Sequence, residues 1–492
     1  MRRRLTLAAA LLALAATALT GLADAGAAQR SRFDTDLLAR IPTPGFPALA
    51  YVHPDGRIYE GTYVNPNATG VPSRIFEFTG EGTLLRSFTV PGQDLAGEHG
   101  VQVTTSDAQG NLVVLDRTPA RALKLDRRTG EFSTYATFAD LKPCPPGEAA
   151  TTCSPTLEDR PAIPNYGAWG PDGSLYVTDF GQGVVWRVPA GGGQAVVWLS
   201  DRRLDGGDFG TTGILLGPDG KSLYVAQGSS AGLGSLNPTT GKLYSVAIEA
   251  GNRPGPLRQM WETQPGDVPD GFAIAASGRI YVPLVGLPAQ IAVLAPEGRE
   301  IERFPQTPGS GDNGSEVPFD SPSSVRFLGT RLIVANQSAL AGDATHQALL
   351  DVEAGETGLP EVIPGKDRIA PTLSRVAVSP RRFAVVRRGG KVRRARRGHT
   401  ARGARLRFSV SEPVTVQIRV ERREGGRYPR RQTIERTVAA GRRSIVFTGR
   451  VRRRGRSVAL PRSVYRFSVR VSDPSGNRSA RVFRSFRIVR GR

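Results

Sequence analysis

The 492-residue sequence contains only two cysteines, Cys144 and Cys153. Two thiolates by themselves make a poor zinc site, so a cysteine-based metal framework is excluded. The pair flanks a Pro/Gly/Thr-rich loop, and in an oxidising compartment this arrangement predicts one local disulfide. After the N-terminal segment no second hydrophobic run reaches bilayer-spanning length, which predicts no membrane span in the mature chain.

Acidic residues are scarce in the C-terminal quarter. Residues 369–492 contain 36 Lys+Arg and 5 Asp+Glu, a balance of +31, whereas the preceding 368 residues contain 30 and 39, a balance of −9. This asymmetry predicts two bodies with different surfaces. Two arginine-rich runs, 387–399 and 450–456, predict that the region binds an anionic cell-envelope polymer through its charge. The alternative interpretation is that codon bias produced these arginines and that they lie in a solvated loop. They lack aromatic interleaving and any nucleic-acid motif, so nucleic acid is not an expected partner.

The first 27 residues have the parts of a secretory signal peptide. Arg2–Arg4 precede an uncharged Ala/Leu run, and small residues then offer A-x-A cleavage sites, the last at Ala25–Ala27. The pattern predicts a signal peptide over 1–27 and a secreted or extracytoplasmic mature protein. A retained membrane anchor is the alternative, because the uncharged run approaches spanning length.

The strand-like segments are not separated by apolar patterns of helical period, which argues against alternating βα folds. Instead, one phrase recurs: a turn that ends in glycine, followed by an apolar strand. The turns end at Gly56, Gly110, Gly173, Gly220, Gly278 and Gly329. Most are followed by further strand-like segments joined by glycine-containing turns. Six four-stranded units, spaced by roughly fifty residues, predict an all-β fold with a six-bladed β-propeller over 33–365.

The basic region, 366–492, begins with a linker and continues with segments that alternate apolar and polar residues. This period-two alternation is typical of half-buried strands. About seven such strands in this length predict an Ig-like or fibronectin-like β-sandwich. The ending, YRFSVRVSDPSGNRSARVFRSFRIV, resembles the last hairpin of bacterial Ig-like and fibronectin-like modules.

Each repeated phrase opens, about eight residues before its turn glycine, on a residue that changes from unit to unit. Allowing for small length differences in the second and sixth units, these residues are Ala48, His99, Asn165, Thr212, Asp270 and Ser323. If each apolar strand starts at the central channel, the six residues form a largely polar ring at one mouth. The ring is therefore the predicted site for a small polar ligand.

Structural roles compete with ligand binding at several ring positions. Asp270 precedes a glycine, and Asp-Gly is a common turn pair. His99 also suits a hydrogen-bonded structural histidine, and Asn165 suits a turn cap. Two other motif matches, G-x-S-x-G at Ser230 and G-x-G-x-x-G over 309–314, lack the following helix that a nucleophile elbow or a dinucleotide site needs.

The phrases PDGFAIAASGRIYV, NYGAWGPDGSLYVTDFG and TTGILLGPDGKSLYVAQG resemble the regucalcin/gluconolactonase (senescence-marker-like) family of six-bladed propellers. The resemblance covers approximately residues 40–365. It implies a divalent cation such as calcium, held by a Glu, an Asn and an Asp, and it implies that the Asp also acts as the base in lactone hydrolysis.

Carried over by position, the resemblance makes Asp270 the metal-binding and catalytic Asp and Asn165 the substrate-binding Asn. Thr212 stands where the metal-binding Asn is expected and Ala48 where the Glu is expected, so a hard cation would be held weakly. His99 and Ser323 would add ligand contacts, and His99 would favour a softer metal.

The function that follows is that of a secreted, monomeric propeller that binds a small molecule and hydrolyses a lactone or ester with help from a metal. A non-catalytic binding or scaffold propeller of the cell envelope, attached through its basic C-terminal domain, is the alternative.

Overall fold

The computed structural model describes residues 30–63, 70–145, 152–230, 239–365, 370–387, 389–395, 399–412, 414–453, 456–473 and 477–491. The predicted signal peptide over 1–27 lies outside these residues, as do parts of the two arginine-rich runs. The described residues contain one 3-10 helix, Arg202–Leu204, and no α-helix. No helix among them is long and apolar enough to cross a membrane.

Six sheets follow one another along residues 35–353 and form the blades of a ring. Strand β1 (Thr35–Arg40) comes first in the chain but belongs to the last blade. Blade 1 comprises β2 (Pro47–Val52), β3 (Ile58–Thr62), β4 (Arg74–Phe78) and β5 (Leu84–Thr89). Blade 2 comprises β6 (Val101–Ser106), β7 (Leu112–Asp116), β8 (Arg121–Asp126) and β9 (Glu131–Thr137). Blade 3 comprises β10 (Pro164–Trp169), β11 (Leu175–Asp179), β12 (Val184–Val188) and β14 (Val196–Ser200), while β13 (Gly193–Gln194) pairs with β9.

The remaining blades repeat this antiparallel order. Blade 4 comprises β15 (Thr211–Leu216), β16 (Ser222–Gln227), β17 (Thr240–Glu249), β18 (Arg253–Pro254) and β19 (Arg258–Pro265). Blade 5 comprises β20 (Ala273–Ile274), β21 (Ile280–Leu284), β22 (Gln290–Leu294) and β23 (Glu300–Phe304). Blade 6 comprises β24 (Pro322–Leu328), β25 (Arg331–Asn336), β26 (Ala348–Glu353) and β1.

The antiparallel pairing of β1 with β26 closes the ring, because it joins the start of the propeller to its last blade. The first strand of each blade lies innermost, and strands such as β6 and β10 are buried along their whole length. Outer strands such as β5 are mostly exposed. Apolar side chains fill the spaces between neighbouring blades; Val113 of blade 2 and Trp186 of blade 3, for example, share one cluster. The predicted six-bladed propeller is confirmed.

The predicted disulfide is also confirmed: Cys144 and Cys153 are joined in the connection between blades 2 and 3. Backbone hydrogen bonds close the base of this loop, from the Cys144 amide to the Ser154 carbonyl at 2.7 Å and from the Ser154 amide to the Lys142 carbonyl at 2.8 Å. The disulfide therefore staples a segment that hydrogen bonding already brings together.

The described residues of the C-terminal region contain ten further strands. They are β27 (Leu373–Ser379), β28 (Arg382–Phe383), β29 (Ala404–Val410), β30 (Val414–Arg422), β31 (Arg430–Val438), β32 (Gly441–Phe447), β33 (Arg450–Arg453), β34 (Arg456–Ala459), β35 (Ser463–Ser472) and β36 (Val482–Ile488). One sheet has the order β27-β29-β32 and a second the order β28-β36-β35-β30-β31, and β33 pairs with β34 in a hairpin.

These two sheets share a hydrophobic core of their own. Phe447, Phe467 and Phe486 meet at its centre, with Phe447 and Phe467 ring centroids 5.0 Å apart. Every buried member of this cluster comes from residues 376–488. The alternating pattern read from the sequence thus produces a β-structured region cored separately from the propeller. Its assignment to the Ig-like class stays a prediction.

Candidate functional site

The ring residues owe their positions to irregularities at the starts of the inner strands. In four blades the pairing shifts register within the segments 47–49, 164–167, 211–214 and 322–324. Such a bulge breaks the in/out alternation and re-aims the side chains within it. Four of the predicted ring residues lie inside these shifts: Ala48, Asn165, Thr212 and Ser323. In these four blades the changing residue that opens the repeated phrase is therefore the residue that a bulge releases from the regular sheet, whereas His99 and Asp270 lie just before their inner strands.

Asp270 lies just before the inner strand of blade 5. Its backbone amide donates to the Pro283 carbonyl at 3.2 Å, and the next amide, of Gly271, donates to the Ser323 carbonyl of blade 6 at 2.9 Å. The carboxyl Oδ1 is buried and has no hydrogen-bond partner among the described residues. Burial raises the pKa of Asp270 to about 7, although the Tyr166 hydroxyl, the Gly271 amide and the Arg326 guanidinium act in the opposite direction.

Tyr166 crosses the channel beside Asp270. It belongs to blade 3, yet its hydroxyl oxygen lies 3.2 Å from the Ser323 carbonyl of the opposite blade and 3.4 Å from the Ala48 carbonyl. A methyl group on Gly271 would stand 2.4 Å from the Tyr166 ring, so the glycine is what leaves room for the crossing. Burial and the nearby Asp270 carboxyl raise the pKa of Tyr166 well above its usual value. The hydroxyl therefore stays protonated and can hold the Asp270 carboxyl in place.

Two ring hydroxyls join blades to one another. The Ser323 hydroxyl donates to the Ala48 carbonyl at 3.0 Å, between blades 6 and 1, and the Thr212 hydroxyl donates to the Pro269 carbonyl at 3.1 Å, between blades 4 and 5. Since each hydroxyl has a single proton, neither can donate to a ligand without giving up its present bond.

His99 and Asn165 differ in what they contact. His99 is fully buried, and its Nδ1 lies 2.9 Å from the hydroxyl of Ser73, at the start of β4 in blade 1. Burial lowers the pKa of His99, which keeps the imidazole neutral. Asn165 is 7% exposed, and its side-chain amide makes no hydrogen bond within the described residues. The structure thus brings Asn165 and Asp270 to the ring with unused polar groups. His99 is held against blade 1 through Nδ1, and its buried Nε2 also lacks a hydrogen-bond partner among the described residues.

Sequence reasoning missed several polar groups along the channel. Tyr63, Tyr166 and Arg326 all interact electrostatically with Asp270. Arg326 donates to the Phe272 carbonyl at 2.7 Å. The sequence signal that could have identified Arg326 is its charge within the otherwise apolar strand segment SSVRFL, because arginine is rarely buried without a partner. Tyr166, which directly follows Asn165, carried no comparable mark.

Glu60 is a second missed carboxyl, in the middle of β3. It is fully buried, and its Oε1 accepts from the Leu49 amide at 3.2 Å. Burial raises the pKa of Glu60 well above its usual value, although the Leu49 and Ala48 amides act in the opposite direction. Because Glu60 contacts the bulge of β2, it helps to hold the inner strand in place beside Ala48.

The opposite end of the channel is crossed by residues 357–362, which follow the last blade and are called the strap here. The Leu359 amide donates to the Ile274 carbonyl of blade 5 at 2.8 Å, and the Glu361 carboxylate accepts from the Tyr51 hydroxyl of blade 1 at 3.0 Å. Beneath the strap lies a cavity of about 480 Å³. Its lining is largely apolar and includes Trp169, Leu216, Ile274, Phe327 and Arg326. The strap thus spans from blade 5 to blade 1 over a cavity whose lining includes Arg326, a residue that also acts on the charge of Asp270.

The ring residues do not fit a tightly held divalent cation. Asp270 supplies the sole carboxylate of the six ring positions, Ala48 supplies no donor, and the Thr212 hydroxyl is engaged with Pro269. Across the described residues no group of three His, Cys, Asp or Glu side chains could hold a metal ion. Calcium needs six or more oxygens, several of them from carboxylates in tight sites.

Six antiparallel blades around a channel that holds an ionisable carboxyl define a six-bladed propeller with an axial site. Residues 73–333 match the sequence profile of the SMP-30/gluconolactonase/LRE-like region. This match spans more than half of the chain, and the protein belongs to that family, which confirms the resemblance seen in the repeated phrases.

Solved structures of several propellers are similar to this chain. Regucalcin from Agrobacterium tumefaciens, a calcium-binding protein, is 15% identical, covers 68% of this chain and 98% of its own, and gives a TM-score of 0.44. Luciferin-regenerating enzyme is 14% identical, covers 66% and 97%, and gives 0.41. Virginiamycin B lyase from Staphylococcus aureus is 14% identical, covers 64% and 82%, and gives 0.39. None of the curated protein sequences matches this chain significantly.

Proposed function

We propose that the protein binds a small polar molecule at the ring end of the channel and hydrolyses a lactone or related ester there, with Asp270 as the acid-base group. The observation that carries this proposal is the state of Asp270. Its side chain is half-buried, its Oδ1 is buried with no hydrogen-bond partner among the described residues, and its pKa is raised to about 7. A general base works best when its pKa lies near the operating pH, and carboxyls with such perturbed pKa values concentrate at functional sites.

The reaction needs no group beyond water and the residues at the ring. The ionised Asp270 carboxylate removes a proton from a water molecule as the water oxygen attacks the lactone carbonyl carbon. The bond between that carbon and the ring oxygen then breaks, and Asp270 returns the proton to the departing alkoxide, which gives the open hydroxy acid. In this proposal Tyr166 holds the carboxyl during both transfers, and the Asn165 amide, which makes no hydrogen bond within the described residues, binds the substrate.

The Asp270→Asn variant tests this role because it keeps the shape of the side chain and removes the base. We expect hydrolysis of five- and six-membered aldonolactones, followed by proton release at pH 7.5, to fall by at least about a hundredfold. Asp36→Asn, on the exposed outermost strand, should keep the native rate; the Asp36 side chain is 72% exposed.

Equal rates for native protein and Asp270→Asn would contradict catalysis by Asp270. If native protein hydrolyses none of these lactones but still binds them in a calorimetric titration that Asp270→Asn abolishes, the channel is a binding site without this activity. That result would favour the non-catalytic alternative.

We also propose that the protein is exported. The N-terminal pattern predicts it, and a disulfide between Cys144 and Cys153 is consistent with an oxidising compartment. Intact mass spectrometry of protein recovered outside the cytoplasm should give a chain that begins after Ala27 and takes up no alkylating reagent before reduction. A chain retaining residues 1–27, or one alkylated at both cysteines without reduction, would refute this proposal.

A further inference from the structure

Three arginines from neighbouring strands converge on the outward face of the five-stranded C-terminal sheet. In the β30–β35 pairing Arg419 lies directly opposite Ser468, and Gln417 lies directly opposite Arg470. Directly opposed side chains start about 5 Å apart. Arg481, just before β36, reaches across both pairs: its Nη1 lies 3.3 Å from the Ser468 hydroxyl and its Nη2 donates to Gln417 Oε1 at 3.2 Å. Arg419, Arg470 and Arg481 together are called the arginine patch.

Neighbouring acids balance the positive charge of the arginine patch only in part, since Glu421 also acts on the charge of Arg481. Glu421, two residues along β30 from Arg419, is engaged with Arg466, with Oε2 and Nε 2.6 Å apart. Glu435, opposite Gln417 on β31, is engaged with Arg57 of the propeller at 3.3 Å. The buried Nε atoms of Arg419 and Arg470 have no hydrogen-bond partner among the described residues. Burial, together with the charges of Arg419 and Arg470, lowers the pKa of Arg481. These cations repel one another and retain unused donors.

The patch is open to solvent on at least one side. Phe483 lies opposite Ser468 on the same face and is 45% exposed. Arg478, which also acts on the charge of Arg481, is exposed and lines the cavity beneath the strap. A ligand can therefore reach the patch from the β35–β36 side.

We propose that the arginine patch binds a tetrahedral oxyanion, the phosphate or sulfate group of a free anion or of an anionic polymer. Guanidinium forks match the oxygens of such groups two at a time. An oxyanion between the three side chains would accept hydrogen bonds from their guanidinium groups and reduce the mutual repulsion. This site is distinct from Asp270 and adjoins the cavity beneath the strap through Arg478. It also differs from the arginine-rich runs 387–399 and 450–456, which the sequence singled out.

Calorimetric titration of the full chain with inorganic phosphate and sulfate at low ionic strength tests the proposal. The native protein should bind with a saturable isotherm. Arg470→Gln combined with Arg481→Gln should weaken binding by at least about tenfold, since each lost charge-assisted bond contributes more than 1 kcal/mol. The matched control removes the same charge from the other sheet: Arg405→Gln with Arg407→Gln, both exposed on β29, should leave affinity within about twofold. Thermal unfolding of each variant establishes that it is folded.

Replacing Arg470 and Arg481 by lysine keeps the net charge but removes the forks, and it should also weaken binding. Equal losses of affinity in the patch variant and in the β29 control variant would show that only net charge matters and would overturn the site. Undiminished binding in the patch variant would also overturn it. A short glycerol-phosphate oligomer separates the two sources of the oxyanion. Binding of the oligomer that inorganic phosphate displaces supports a polymer ligand, and binding of inorganic phosphate alone supports a free anion. If neither probe binds native protein, the proposal is wrong.

Discussion

Replacing Gly271 with alanine is expected to destabilise the propeller by about 3 kcal/mol, the upper end of overpacking costs. The new methyl group would stand 2.4 Å from Cε1 and 2.5 Å from the hydroxyl oxygen of Tyr166. The tyrosine cannot withdraw freely, because its hydroxyl contacts the Ser323 and Ala48 carbonyls on the far side of the channel. Urea unfolding of the variant and of the native protein measures the difference.

Two further variants show whether Tyr166 is the cause. Gly97→Ala adds the same methyl group where no atom lies within 4 Å, and it should change stability by less than about 0.5 kcal/mol. In a double-mutant cycle, Gly271→Ala should cost little in a Tyr166→Ala background, because the clashing ring is gone. Additive losses in that cycle would mean that Gly271 matters for another reason.

The second large effect concerns the pH dependence of stability. The Asp270 carboxyl titrates near pH 3.9 in the unfolded chain and at about 7 in the folded protein. Between these values the folded protein keeps a proton that the unfolded chain releases. The free energy of unfolding therefore falls as the pH rises from about 4 to about 7, by up to about 4 kcal/mol in all. The Asp270→Asn variant has no carboxyl at this position, so its free energy of unfolding does not fall in this way. We therefore expect the variant to be more stable than native protein above pH 7 and similar to it near pH 4.

Urea unfolding of both proteins from pH 4 to pH 8 measures this difference. Other carboxyls with raised pKa values, Glu60, Asp116 and Asp179, titrate in both proteins and cancel in the comparison. Asp36→Asn should follow the native pH dependence, since that side chain is exposed. Parallel curves for native protein and Asp270→Asn would contradict a raised pKa at this carboxyl. A variant that gains stability while it loses turnover would show that the buried carboxyl is kept for function.

The features that the sequence predicted depend on short stretches of chain. The repeated turns need a glycine with positive φ, and Gly56, Gly173 and Gly278 have φ of 89°, 81° and 88°. Each turn joins two strands that pair with each other, so the blades could be counted without knowing how they pack. The disulfide was predictable for the same reason, since Cys144 and Cys153 lie nine residues apart. The shared register of the six phrases located the ring positions.

The tertiary structure decided which ring residues have unused polar groups. Ser323 is engaged by Ala48, 275 residues earlier in the chain, and Thr212 by Pro269, 57 residues later. Tyr166 crosses to carbonyls 118 and 157 residues away, and no local pattern marks it. The sequence by itself thus determined the blades, the family and the position of Asp270. The raised pKa of Asp270 and the convergence of the arginine patch depended on ring closure and sheet pairing. The first feature arises because residues distant in sequence exclude water from the carboxyl, and the second because they bring like charges together. A local repeat in the sequence cannot predict contacts of this kind.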